Sequence, residues 1–98
     1  MNTFARFEHE QRRLAILRIL SADPDYSTNE EVLAKALAAS GLGASTADLR
    51  ADLVWLRDQV LVMLGEVAGV YTVKLARRGE DVANGLERVE GVARPRPE

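Results

Sequence analysis

Few side chains in this sequence are typed and spaced for chemistry. The histidine is His9, the only one in 98 residues, flanked by Glu8 and Glu10. Serine-type nucleophilic catalysis would have to use it as the base, yet on a helical stretch that setting reads as a surface histidine. One histidine excludes a multi-histidine metal centre. The absence of cysteine excludes thiolate metal sites, iron–sulfur clusters, a disulfide scaffold and a cysteine nucleophile. The acidic residues are scattered over helix caps and solvent faces, and no spacing selects an acid/base pair. Glu30-Glu31 reads as helix capping rather than metal ligation. Gly41 and Gly43 lack the following Lys-Ser/Thr of a phosphate-cradling loop. No catalytic residue, cofactor or metal site is expected.

Recognition chemistry is the remaining class. Ser45, Thr46 and Arg50 stand at the start of one helical stretch. Lys74 and the pair Arg77-Arg78 follow a strand-rich segment. Arginine can read guanine through two parallel hydrogen bonds, and lysine or arginine can meet phosphate. Charge opposes this. The chain carries 13 basic and 15 acidic residues, a net of −2. Residues 44–58 hold Arg50 and Arg57 against Asp48, Asp52 and Asp58. Nucleic-acid affinity rests heavily on cation–phosphate contacts. The alternative reading of Arg50 is a solvated arginine on an exposed face.

Positioning these residues requires a single small domain, since 98 residues leave no room for a second core. A hydrophobic fraction of 47% and a charged fraction of 29% suit a globular chain. No apolar run is long enough to span a membrane and no signal pattern opens the chain, so a cytoplasmic protein is expected.

The first helix is capped by Asn2 or Thr3 and carries Phe4, Phe7, Leu14, Leu17 and Leu20 at helical spacing. Its second half is apolar almost all round, which demands cover on more than one side. That cover is either the last helix, through Val82, Ala83 and Leu86, or a twofold mate. Asp23-Pro24-Asp25 stops the helix. Ser27 and Thr28, with Glu30 and Glu31 three positions on, offer capping boxes for a second helix. Val32, Leu33, Ala36 and Leu37 form its apolar face, and Gly41 ends it. Ser45 or Thr46 caps a third helix with Leu49, Leu53 and Leu56 on one face. Two helices joined by so short a glycine-containing turn form a helix-turn-helix unit. Beyond Gln59 the period changes. Residues 60–64 and 70–75 read as two strands around a turn at 65–69. A short last helix over 77–86 is weakened by Gly79 and Gly85.

The expected fold is mainly α with a small β-hairpin wing, a winged helix-turn-helix in the order α-α-α-β-β-α. It occupies residues 1–92, with 93–98 a flexible tail whose prolines forbid regular structure.

Leu53-Val54-Trp55-Leu56-Arg57-Asp58-Gln59-Val60-Leu61-Val62 is similar to a winged-helix recognition helix running into its first wing strand. Leu75-Ala76-Arg77-Arg78-Gly79 resembles the Leu-Thr-x-x-Gly that often follows the wing. From about Arg13 onward the chain resembles small proteins of Mu-like phages and prophages described as ArsR-like transcriptional regulators. Three departures stand out. The usual glycine after the recognition helix is Val60, a β-branched residue that resists positive φ, so that helix is expected to end by a different turn. The post-wing threonine is Ala76. Metal sensing is not carried over, because its cysteine or histidine ligands are absent.

The resemblance implies a non-enzymatic, phage-type regulator that binds double-stranded DNA. Ser45, Thr46, Arg50, Lys74 and Arg77 are the DNA-binding candidates, with Arg50 unpaired. A homodimer is expected through the first helix, with Phe4, Phe7 and Leu14 at the interface. Phe4, Phe7 and Trp55 also admit a core reading. The competing function is a protein-interaction or dimerisation module without DNA contact, since fold alone does not assign function.

Overall fold

The computed structural model describes residues 2–96. Position 1 of the expected domain and positions 97–98 of the expected tail lie outside the described residues. Helix α1 (Thr3–Ala22) opens on Asn2, whose Oδ1 accepts the Ala5 N–H at 2.8 Å. Strand β1 (Ser27–Asn29) leads into α2 (Glu30–Ala39) and α3 (Thr46–Asp58). Strands β2 (Val62–Val67) and β3 (Val70–Leu75) form a hairpin, and α4 (Arg77–Ala83) follows.

The expected order α-α-α-β-β-α is therefore corrected to α-β-α-α-β-β-α. The sheet has three antiparallel strands in the order β1-β3-β2, not a two-stranded wing. The added strand pairs Ser27 with Lys74, Thr28 with Val73 and Asn29 with Thr72. The segment expected to form capping boxes is thus spent on β1. Asn29 caps α2 instead, accepting the Val32 N–H at 2.9 Å. Tyr26 enters β1 at φ 56, and its carbonyl accepts the Leu75 N–H.

The hairpin also differs from expectation. Its strands run through to Val67, and the turn shrinks to Ala68-Gly69. Both turn residues have positive φ, 51 and 81. That pair of signs matches the twist of antiparallel strands in a two-residue turn.

Helices α2 and α3 end by the same motif. After α2, Gly41 donates to the Ala38 carbonyl and Leu42 to the Leu37 carbonyl. After α3, Val60 donates to the Arg57 carbonyl and Leu61 to the Leu56 carbonyl. This is the paired-bond, left-handed helix terminus usually built on glycine. The expectation that Val60 would refuse it is overturned: Val60 sits at φ 62. Leu61, fully buried, anchors the motif by packing into the core. The last helix stops at Ala83, short of the expected residue 86, and Leu86 is 77% exposed.

The core is built from Ile16, Leu17 and Leu20 of α1, Leu33 and Leu37 of α2, Leu53 and Leu56 of α3, and Val73 of β3, all essentially inaccessible. Each fully buried side chain of this kind contributes roughly 1.5–3 kcal/mol. Val82 and Ala83 of α4 supply part of the cover that α1 required. Val89 and Val92 supply more, and the Ala93 N–H donates to the Glu10 carbonyl of α1 at 3.1 Å. Gly79 allows α4 to lie against the strand entry, for a Cβ there would stand 2.1 Å from the Leu61 carbonyl oxygen. Among the described residues no helix is long and apolar enough to cross a membrane.

Candidate nucleic-acid interface

Helix α3 turns Leu49, Leu53 and Leu56 inward. Thr46, Ala47, Asp48 and Ala51 of its first half are exposed. Ser45 is its cap, and its Oγ accepts the Asp48 N–H at 3.1 Å. The helix is fastened on two sides by ionic clusters, neither of which was expected.

The outer cluster holds Arg50. Its Nε donates to Glu30 Oε1 at 2.8 Å and its Nη2 to Glu30 Oε2 at 2.6 Å. Nη2 also donates to the Gly69 carbonyl at the hairpin turn, at 2.7 Å. The Tyr71 N–H donates to Glu30 Oε2, and the guanidinium lies 4.2 Å from the Tyr71 ring centre. One arginine thus joins α2, α3 and the hairpin. The expected unpaired Arg50 is corrected, and so is its reading as a freely solvated arginine. Its fork is occupied by the carboxylate of Glu30, which opens α2 and serves here as an ion-pair partner rather than as a capping-box residue. The Arg50 hydrogen bonds hold the Glu30 carboxyl below its ordinary range, helped by the Tyr71 N–H, while burial works against them.

The inner cluster centres on Asp52, which is 0% exposed. Arg12 Nε donates to Oδ2 at 2.6 Å and Arg13 Nε to Oδ1 at 2.9 Å. His9 Nδ1 lies 2.8 Å from Oδ1. Arg13 also donates to the Gly91 carbonyl and stacks over Trp55 at 4.0 Å. His9 is therefore a part-buried partner of Asp52 rather than a free surface histidine. With two guanidinium donors on it, this carboxylate ties α1 to α3.

The DNA-binding candidates fall into two places. Thr46 and Arg50 line one shallow depression with Glu31, Ala34, Ala44 and Gly69. Lys74 and Arg77 line another with Tyr26 and Glu80. Lys74 and Arg77 are exposed, as is Ser45. On α3 itself, Arg57 pairs with Asp58 at 3.2 Å, so both arginines of that helix are engaged.

Of the three residues expected at a dimer contact, Phe4 and Phe7 are 71% and 52% exposed. Their core reading is overturned, because the first turns of α1 extend past the elements that cover the rest of it. Leu14 is corrected in the opposite sense. At 5% exposure it belongs to the monomer's core and is not available to a second chain. Trp55 is half-buried against that core.

Sequence reasoning missed Glu30, Tyr71 and Asp52. For Asp52 a signal was present: it lies three positions after Leu49 and four before Leu56, on the inward face of its helix. His9, Arg12 and Arg13 share the corresponding spacing with Ile16 and Leu20.

No family model matches the sequence, and no solved structure matches it. A protein of Escherichia phage Mu named "Uncharacterized protein gp26" is 46% identical over 88 residues, covering 90% of this chain and 91% of that protein.

Proposed function

Since the chain belongs to the family of gp26 of Escherichia phage Mu, we propose that it is a phage-encoded, non-enzymatic, cytoplasmic regulator that binds double-stranded DNA as a homodimer through α3. The observation that carries this reading is the open first half of α3, held rigid from both sides. Thr46, Ala47, Asp48 and Ala51 are exposed there. Small side chains let a helix approach the floor of a major groove. Threonine and alanine suit thymine methyl groups, and aspartate accepts from the cytosine amino group. Arg50 holds the hairpin rather than reading a base. Phosphate contact falls to exposed Lys35 of α2 and to Lys74 and Arg77, in the pattern where the first helix of the unit meets the backbone.

Fluorescence anisotropy with duplexes of phage operator DNA, at low and at physiological salt, tests the reading. The expected result is binding that weakens steeply with salt and is lost in Ala47→Glu. No binding at micromolar protein and low salt overturns it.

A second reading, a protein-interaction module without DNA contact, is favoured by one observation. The face of α3 and the hairpin end carry exposed Asp48 and Glu66 with no ion-pair partner among the described residues, while Arg50 and Arg57 are already paired. It predicts a chain that dimerises normally yet ignores duplex DNA.

A further inference from the structure

We propose that two copies of the chain pack through α1 in antiparallel fashion, about a twofold axis near its midpoint. This deepens the homodimer of the reading above by assigning its surface and register, and it requires no DNA contact.

The sequence of α1 gives it two unlike sides. Ile16, Leu17 and Leu20 are buried. Phe4, Phe7, Glu8, Gln11 and Arg18 are exposed, and Ala15 is half-buried between them. At 3.6 residues per turn these positions share an arc of roughly 120°. Ile19 and Ala22 extend the arc to the C-terminal end. The stripe therefore runs along all 20 residues of α1, about 30 Å at the helical rise. Ala15 and Ile19 lean partly on the core, while Phe4, Phe7, Glu8, Gln11, Arg18 and Ala22 stay exposed.

Charge selects the occupant and its direction. Glu8 stands toward one end of the stripe and Arg18 toward the other, and neither has an ion-pair partner among the described residues. A parallel mate would set Glu8 beside Glu8 and Arg18 beside Arg18, an unfavourable match at both ends. An antiparallel mate sets Glu8 level with Arg18 of the second copy, twice by symmetry. The same register sets Phe7 level with Ile19, Phe4 with Ala22, and Gln11 with Ala15. Each exposed phenyl ring thus meets an aliphatic or small neighbour, and at the middle of the stripe the small Ala15 of each copy makes room for Gln11 of the other. A surface complementary to itself in this way is what a closed twofold dimer requires.

The test uses the full chain in sedimentation velocity or multi-angle light scattering, with circular dichroism confirming the helical fold of each variant. Wild type is expected to be dimeric. Glu8→Arg and Arg18→Glu should each weaken the dimer by about tenfold or more, since each sets like charges face to face. The double reversal, Glu8→Arg with Arg18→Glu, should restore it. A monomer at every concentration tested overturns the proposal. So does a dimer indifferent to the single reversals, or one the double reversal fails to recover. Failure of the DNA reading looks different: a dimer with this charge behaviour and no affinity for duplex.

Discussion

Asp52 and Glu30 are two buried carboxylates that fasten the same helix, and they differ in how far water reaches their arginine partners. Asp52 lies on α3 itself, fully enclosed, and takes two arginines from α1. Glu30 opens α2 and grips one arginine of α3, whose side chain is still 36% exposed. The inner cluster fixes where α3 lies on the core. The outer cluster fixes how the hairpin sits beside the face that α3 presents. Removing a partner costs most where water cannot replace it. The inner site should therefore govern folding, and the outer site should govern the local geometry of the face.

The sharpest way to break this contrast is Asp52→Ala. It leaves buried Arg12 without its carboxylate and Arg13 with only the Gly91 carbonyl and the Trp55 ring, and a loss of about 3–5 kcal/mol is expected in urea unfolding. A loss below about 1 kcal/mol would erase the distinction between the sites. Glu30→Gln keeps the shape of the outer brace and removes its charge. A loss of about 1–2 kcal/mol is expected. Amide exchange should speed up at Tyr71 and the hairpin turn while α1 stays protected. Uniform loss of protection would show that the brace is part of the global fold.

Acidity sharpens the contrast further. Arg50, through its hydrogen bonds, lowers the Glu30 pKa in the folded state below the ordinary 4.5. A depressed folded pKa gives stability that is present above the unfolded value and lost as pH falls through the folded one. Thermal melts should therefore show this increment decaying below about pH 4.5 in wild type and missing from Glu30→Gln. Identical acid profiles would refute the assignment. The smallest effect belongs to Val60→Gly, outside both clusters. Relief of the left-handed valine, less the added freedom of the unfolded chain, should raise stability by about 0.5–1 kcal/mol. That gain should add to the loss in either carboxylate variant, since the sites share no partner.

Much of the scaffold is legible in the residues. Ser45 as a cap, Gly41 as a terminator and the leucine spacing of α3 announce the helix pair, and the change of period after Gln59 announces the hairpin. What escapes is whatever depends on distant partners. Strand β1 has only three residues and no alternation; it exists because β3 offers a free edge. Val60 takes its backbone angle because Leu61 must be buried. The spacing of Arg12, Arg13 and Asp52 puts them on inward faces, but only their pairing with one another across two helices makes that burial tolerable. Arg50 looks like a reader until Glu30, twenty positions earlier in the chain, takes its fork.

The bond from Ala93 to Glu10, with Val89 and Val92 pressed beneath it, has a temporal meaning. During synthesis α1 emerges early, while the stretch that seals its far flank emerges late. Closing so long a loop is slow relative to local helix formation. An elongating polypeptide therefore carries an unsealed, sticky rod until this last fastener arrives. Shortening the gene to end before Val89 should yield not a trimmed protein but an aggregating one.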